Sequence, residues 1–288
     1  MVCFNITRAA HAELRVKDLD RSWYFYCNLL GMIETGKDEN RLYLGGLEET
    51  DKYSLVLRKS KAPGLNHVAF RVADENGLEE IYTKCIKTSG VKNMRWLNPG
   101  ASETGQGLAL RVQDPSGMPV EFFCEMEKRE RLLQKFNLYK GAEIMRLDHF
   151  NWQVPNVEAA YKWWMMEMGF QMSEYTVTDD KPEKIWAVWL HRKQNVHDIA
   201  IMNGVGPRLH HVAFWVRNEL SILKICDILA SVGMTDLIER GPGRHGLSNA
   251  FFLYLRDPDG NRIELFTNDY MIPAPDFKPI KWKLSDPR

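Results

Sequence analysis

The apolar and polar positions of this chain follow one pattern written four times, a repeat that sets its organisation before any single residue is weighed. Four segments open on a histidine and continue with apolar and β-branched residues: His11 to Val16 (HAELRV), His67 to Val72 (HVAFRV), His149 to Val154 (HFNWQV) and His211 to Val216 (HVAFWV). Each reads as a strand. A helical stretch follows each one. Asp20 to Leu30 carries aromatic and apolar residues, Glu75 to Ser89 is amphipathic, Val157 to Met168 is rich in Trp and Met, and Glu219 to Val232 repeats apolar residues at three and four. A glycine closes each stretch, Gly31, Gly90, Gly169 and Gly233, lying 20, 23, 20 and 22 residues after the histidine. Short β-branched and aromatic runs come next, among them Arg41 to Leu44, Tyr53 to Arg58, Ile185 to Leu190 and His197 to Met202. A module is therefore a strand, a helix and about three strands, and the fold class expected is α+β, with four βαβββ modules paired into two domains.

Between the second and third modules the run Glu125 to Lys140 (EMEKRERLLQKFNLYK) is highly charged and reads as a helical connector. The expected division is an N-terminal domain over 1–126, a connector helix over 127–145, a C-terminal domain over 146–268 that carries the chemistry, and a tail over 269–288. The tail has four prolines and no periodicity. It should wrap the surface rather than add a core element.

The most informative stretch is Arg240 to Phe266 (RGPGRHGLSNAFFLYLRDPDGNRIELF). Its Asp257-Pro258-Asp259-Gly260 segment suits a type I turn closed by a left-handed Gly260. In that register Asp257 faces Asn261, and counting outward places Tyr254 opposite Glu264 on one face of the hairpin. Glu264 lies between Ile263 and Leu265, and a lone carboxylate facing inward is costly unless it is paired or bound to a metal. Asp114 to Gly117 with Glu121 mirrors the same arrangement in the first half.

Composition narrows the class. The 288 residues are 44% hydrophobic, enough for a large core and about two domains, and 38 basic residues balance 38 acidic ones. No long run of one sign suggests nucleic acid or an anionic membrane as partner. The longest apolar stretches are strand-sized and the N-terminus has no signal-peptide core, so a cytoplasmic protein is expected. Five widely spaced cysteines without CxxC pairs suit reduced core thiols.

If the modules superpose, His149 and His211 occupy equivalent strand starts, with Glu264 near the end of the fourth module. Two neutral imidazoles and one carboxylate make the facial triad of non-haem iron oxygenases, which leaves three coordination positions open. Such a site keeps about one positive charge and suits a bidentate monoanion. Alternation along a strand separates His210 from His211, and the repeat aligns His211 with the other leading histidines, leaving His210 structural or supporting. His197 and His245 lie on elements converging on the triad and can exchange a proton near neutral pH. His191, in the run His191 to Gln194, reads as a solvated segment. His11, His67 and Glu121 hold the same repeat positions in the first half, but Tyr53, Ser102 and Arg111 stand where His197, His245 and Tyr254 do. An arginine beside a cation opposes metal binding, so that half is expected to be vestigial or at most structural.

These residues resemble the type I extradiol ring-cleaving dioxygenases of the vicinal oxygen chelate superfamily (the glyoxalase, bleomycin resistance and dioxygenase fold). The signature runs through Gly243-Arg244-His245, Leu253-Tyr254, Asp257 to Gly260 and Glu264. Within the family the likeness is greatest to enzymes of 3,4-dihydroxyphenylacetate, through RLDHFN at Arg146 to Asn151, HRKQNVHD at His191 to Asp198, GPRLHHVAF at Gly206 to Phe214 and ERGPGRHG at Glu239 to Gly246. The resemblance implies Fe(II), or Mn(II) in some relatives, on His149, His211 and Glu264, with O2 as co-substrate and a catechol cleaved beside its diol to a muconic semialdehyde. It implies an acid-base role for His197, a hydrogen bond from Tyr254 to a substrate oxygen and help from His245 in substrate and proton handling. Asn151 and Trp189 would line the pocket, and Arg240 would hold a side-chain carboxylate. It also implies a homotetramer. Relatives carry a longer tail that covers the pocket and contributes arginine, whereas this sequence ends at Arg288, so an uncharged catechol remains an alternative substrate. A glyoxalase-like lyase or isomerase would use another ligand set, and a small-molecule-binding protein would not need His197, Tyr254 and His245 together.

Overall fold

Residues 6–287 are described in this computed structural model, and they repeat strand, helix and three strands four times. The first module comprises β1 (Ile6–Val16), α1 (Leu19–Trp23), β2 (Ile33–Lys37), β3 (Arg41–Gly45) and β4 (Leu55–Lys59). The second comprises β5 (Gly64–Val72), α2 (Glu75–Lys87), β6 (Lys92–Leu97), β7 (Ala109–Gln113) and β8 (Pro119–Phe123). The third comprises β9 (Ile144–Val154), α3 (Val157–Met166), β10 (Gln171–Val177), β11 (Ile185–His191) and β12 (Ile199–Asn203). The fourth comprises β13 (Arg208–Val216), α4 (Glu219–Ser231), β14 (Ile238–Arg244), β15 (Phe251–Arg256) and β16 (Arg262–Thr267), and the tail adds β17 (Ile280–Lys283).

Local chemistry explains why the period recurs. Every helix starts on an Asp or Asn cap, Asp18, Asp74, Asn156 or Asn218, whose side chain accepts an amide hydrogen from the first turn. Gly31, Gly90, Gly169 and Gly233 follow the helices with positive φ of 72–95°, a conformation that stops a helix at little cost only for glycine. Within each module the first and last strands pair in parallel, and two modules join through their first strands, β1 with β5 and β9 with β13, in antiparallel fashion. The outcome is an eight-stranded and a nine-stranded mixed sheet.

One face of both sheets shares a continuous apolar core containing Phe70, Phe150, Trp152, Trp164 and Phe214. The other faces differ. In the first half Tyr43, Tyr53, Phe123 and Met126 fill the concave face. In the second half the apolar residues split into two groups, one around Ala213, Phe252 and Phe266 and one around Ala187, Trp189 and Ala200. A cavity lies between them. The halves also clasp each other reciprocally. The β15–β16 turn offers Asp257 to the Tyr26 hydroxyl of the first half at 3.1 Å, and the β7–β8 turn offers Asp114 to the indole N–H of Trp164 in the second at 3.2 Å.

Several sequence expectations are corrected. Residues 127–145 do not form a connector helix: up to the start of β9 at Ile144 the segment is irregular apart from a single 3-10 turn at Phe136–Leu138. Its backbone is committed to the first half, since Lys52 donates to the Glu127 carbonyl, Glu127 to Gly105 and Arg129 to Thr50. Two of its cationic side chains are held there too, Lys128 by Asp51 and Arg129 by the Gly46 carbonyl. The first helix is a short α-turn running into a wider π-turn at Tyr24–Leu29. The tail wraps the surface as expected, yet β17 extends the sheet by pairing in parallel with β10. Cys27, Cys85, Cys124 and Cys226 are free thiols, and Cys3 lies outside the described residues. Among the described residues no helix is long and apolar enough to cross a membrane.

Candidate functional site

Strand register assembles the site. Tyr254 of β15 faces Glu264 of β16, Glu264 faces Ala213 of β13, and Ala213 faces His149 of β9, so four side chains stand in one row across four strands. His211 lies two residues before Ala213 on the same face and opposite Asn151. A methyl group at Ala213 leaves the space in which longer neighbours meet. There His149 Nε2 and His211 Nε2 are each 3.1 Å from Glu264 Oε2 and 3.3 Å from one another. All three residues are buried.

The atoms behind each imidazole fix which nitrogen faces the cluster. His149 Nδ1 is 3.1 Å from the buried Asp148 carboxylate, which accepts its hydrogen and leaves a lone pair on Nε2. Burial pushes the Asp148 carboxyl up, but the Lys193 ammonium and the His149 hydrogen bond outweigh it and hold the group well below its usual range. His211 Nδ1 is 2.8 Å from His210 Nδ1, a separation that admits one proton between them. Burial and then the neighbouring His211 push His210 down to about 2; with His210 Nδ1 as acceptor, His211 carries its hydrogen on Nδ1 and presents Nε2 as a lone pair. Two imidazole nitrogens and a carboxylate oxygen, buried and mutually 3.1–3.3 Å apart, converge on one point where a cation can be shared among them. The donor set and its geometry therefore fit a divalent metal.

The remaining sequence candidates surround this cluster. His197 lies two residues ahead of β12 rather than opening it; it is buried, and its ring stacks obliquely on His149 with centroids 3.8 Å apart. Burial above all depresses its pKa well below the usual value, and its Nδ1 has no partner. His245 lies flat on Phe252, with ring centroids 3.6 Å apart, and its Nε2 is 3.3 Å from the Tyr254 hydroxyl and 3.4 Å from Glu264 Oε1. Burial, then Glu264, hold Tyr254 protonated far above the ordinary phenol range.

All of these open on one cavity of about 610 Å³, whose wall includes Asn151, Trp189 and Arg240 together with Trp186, Met202, Glu239, Arg262 and Asp286. Asn151 is buried, donates to Met202 Sδ at 3.2 Å and leaves its carbonyl oxygen without a partner. Arg262 is engaged with Glu239. Arg240 differs: its guanidinium lies over the Phe252 ring, and among the described residues no carboxylate comes within ion-pair distance of it.

Sequence reasoning missed Asp148, although the acid directly before a ligand-type histidine was a usable signal. It also missed Glu239 and Arg262, whose register only the folded sheet reveals. His191, read as solvated, is buried, with Nδ1 2.9 Å from the Lys193 carbonyl. It belongs to the loop in which Lys193 reaches the carbonyls of Asp148 at 2.6 Å and His197 at 3.0 Å.

Comparison with known proteins agrees with this construction. The family model of the glyoxalase/bleomycin resistance protein/dioxygenase superfamily matches residues 8–122 and 146–265. A manganese-dependent 2,3-dihydroxybiphenyl 1,2-dioxygenase of Geobacillus genomosp. 3 is 33% identical over 96% of this chain and 90% of its own length. A metapyrocatechase of Pseudomonas sp. (strain CF600) is 32% identical over 98% and 92%. Among solved structures, homoprotocatechuate 2,3-dioxygenase from Brevibacterium fuscum, in complex with 3,4-dihydroxyphenylacetate, superposes with a TM-score of 0.92 at 41% identity, covering 98% of this chain and 86% of that one. The enzyme of the same name from Arthrobacter globiformis superposes at 0.89 with 42% identity and the same coverage. The chain belongs to the glyoxalase/bleomycin resistance protein/dioxygenase superfamily. Within it, the chain falls among the extradiol ring-cleaving dioxygenases.

Proposed function

We propose that this chain cleaves a catechol ring beside its diol, using dioxygen as co-substrate, and that its substrate carries a side-chain carboxylate, as 3,4-dihydroxyphenylacetate does. The observation that carries the substrate reading is Arg240, a guanidinium in the cavity wall with no carboxylate of its own among the described residues. An uncharged catechol would leave that cation unpaired.

In this reading His149, His211 and Glu264 hold Fe(II), with Mn(II) as the alternative, because the same imidazole and carboxylate set serves both. The metal, when bound, would take both catechol oxygens and link ring and dioxygen electronically. The chain's own residues do the rest. Tyr254, kept protonated by burial, donates to a substrate oxygen, and His245 beside it relays a proton while Phe252 fixes its plane. His197 is neutral in its buried position and is set against His149, where it gives and takes a proton during oxygen chemistry. Asn151 and Trp189 position the ring, and the apolar wall keeps water from the reacting face.

The N-terminal part, 1–126, has no substrate role in this proposal; 127–145 links it to the catalytic part, 146–268, and 269–288 trims the cavity, where Asp286 reaches the wall. A homotetramer in the cytoplasm completes the reading, and light scattering on the purified chain tests the assembly.

The deciding experiment mixes anaerobically iron-loaded protein with 3,4-dihydroxyphenylacetate or with catechol in aerated buffer and follows the visible spectrum. A yellow semialdehyde forming faster from the carboxylated substrate is expected. In Arg240→Ala that preference should fall by about tenfold, through KM, with catechol turnover unchanged. Faster catechol cleavage by the native chain would discard the carboxylated substrate, and no yellow product from either would discard ring cleavage.

A further inference from the structure

We propose that the N-terminal half binds a divalent cation of its own, in a closed four-ligand site formed by His11, His67, Glu103 and Glu121. The strand row described for the second half is written here as well. His11 of β1 faces Ala69 of β5, Ala69 faces Glu121 of β8, and Glu121 faces Arg111 of β7. An alanine again makes the space. Arg111 replaces Tyr254, and Glu103, from the loop before β7, is a carboxylate with no counterpart in the catalytic cluster.

The four side chains are fully buried, each at 0% exposure, and offer one ligand atom apiece within 4.8 Å of one another. His11 Nε2 is 3.2 Å from His67 Nε2, 3.6 Å from Glu121 Oε1 and 3.8 Å from Glu103 Oε2. His67 Nε2 is 3.4 Å from Glu103 Oε1 and 3.7 Å from Glu121 Oε1. Metal–ligand bonds of about 2.0–2.2 Å give tetrahedral edges of roughly 3.3–3.6 Å, and octahedral ones of roughly 2.8–3.1 Å. The first-half separations run from 3.2 to 3.8 Å, those to Glu103 involving both of its oxygens, so they span the tetrahedral range and lie above the octahedral one. Those of His149, His211 and Glu264, at 3.1–3.3 Å, lie closer to the octahedral one. A tetrahedron of four protein ligands leaves no position for substrate, and Tyr53 and Phe123 pack on the His11 ring with centroids 5.4 and 5.1 Å away. The site is structural, and zinc is the ion whose coordination it matches.

Two further observations support a cation. Both Glu103 oxygens are buried without a single hydrogen-bond donor, an expense that native interiors avoid unless something unseen compensates. Charge also balances. Arg111 contributes one positive charge, Glu103 the negative charge that cancels it, and a divalent ion with Glu121 then leaves the same single positive charge as the catalytic triad with its metal. The guanidinium expected to oppose a metal is offset by the carboxylate that the sequence reading passed over. Glu13 stands outside this balance, paired with Arg41 at 3.4 Å, and its Oε2 lies 3.4 Å from His67 Nδ1, the nitrogen turned away from the cluster. Arg111 Nη2 approaches that Nε2 at 3.3 Å but keeps Ser102 Oγ, at 2.8 Å, and Glu121 as partners when the imidazole turns to a cation. His11 Nδ1 has no partner in either tautomer.

The competing occupant is a proton, since burial pushes Glu103 up to about 7 and the carboxylates around His67 raise it in spite of burial. Cobalt(II) separates the two, because four-coordinate cobalt absorbs visible light far more strongly than six-coordinate cobalt. The full chain, stripped with a chelator and titrated with Co2+ alone, should take up two ions, one of them giving intense visible bands. His211→Ala should keep one ion with those bands. Glu103→Gln should also keep one, without the bands, and after iron loading should retain ring cleavage within about twofold of the native rate. A native chain that binds one cobalt, or a His211→Ala chain that binds none, overturns the proposal. If Glu103→Gln does not fold, the native and His211→Ala titrations decide the matter alone.

Discussion

His211 has two neighbours that define its work: His210 Nδ1 lies 2.8 Å from its Nδ1, and Glu264 faces Nε2. Replacing it by alanine takes one of three ligands from the open centre, and His211→Ala is expected to lose the iron of that centre and ring cleavage with it. Activity at the native level would place the metal elsewhere. His197 has a separable role, because it touches the centre through the face of His149 and not through a ligand atom. His197→Asn should therefore bind iron and catechol as the native chain does while oxygen-dependent turnover falls by about 100-fold or more. Single-turnover mixing of the anaerobic catechol complex with dioxygen measures that step directly, and a native rate would remove His197 from the mechanism. These residues stand in the sequence as a spaced set of histidines and one inward glutamate. Asp148 and Glu103 were harder to see because their effect depends on which nitrogen they face, and periodicity carries no information about tautomers.

The β15–β16 hairpin shows how an element can be read in advance. Alternation, Pro258 and Gly260 determine its register, and Tyr254 stands opposite Glu264 as counting from the turn requires; Gly260 closes it with φ +89°. The Asp257 carboxylate accepts from the amides of Asp259 at 2.9 Å and Asn261 at 2.8 Å, and from Tyr26 of the other half. Asp257→Ala strands these donors in a buried turn. A loss of about 2–4 kcal/mol follows, equal to roughly 5–15 °C in Tm by calorimetry, with metal affinity reduced because Glu264 sits on the loosened strand. A melting point within about 1 °C of native would show that the turn is held by other contacts. The segment 127–145 was misread for the converse reason. Its charges fit the surface of a helix, but their partners, Asp51 and the Gly46 carbonyl, are far away in sequence, and long-range pairing overrides local propensity.

At the scale of the whole molecule, the repeat in the sequence accounts for the four modules and their grouping, but it could not reveal that one concave face is filled and the other open. That difference rests on which side chains occupy the concave face, Tyr43, Tyr53 and Met126 filling it in the first half where His197 borders a cavity in the second. The common core and the reciprocal Asp257–Tyr26 and Asp114–Trp164 contacts make the halves one cooperative unit. A fragment of residues 146–288 is thus expected to lack a sharp thermal transition, and a native-like melting curve by circular dichroism would show that it folds alone.

The crossed clasp also sets a rule for recombination. A chimera that takes its first half from a relative inherits a foreign tyrosine position and a foreign aspartate turn together, and each must find its mate in a half that did not evolve beside it. Crossovers ahead of β9, between residues 127 and 143, which look neutral because they interrupt neither sheet, therefore test two contacts at once. The viable hybrids will be those in which both mates travel with their partners or are shared by the two parents.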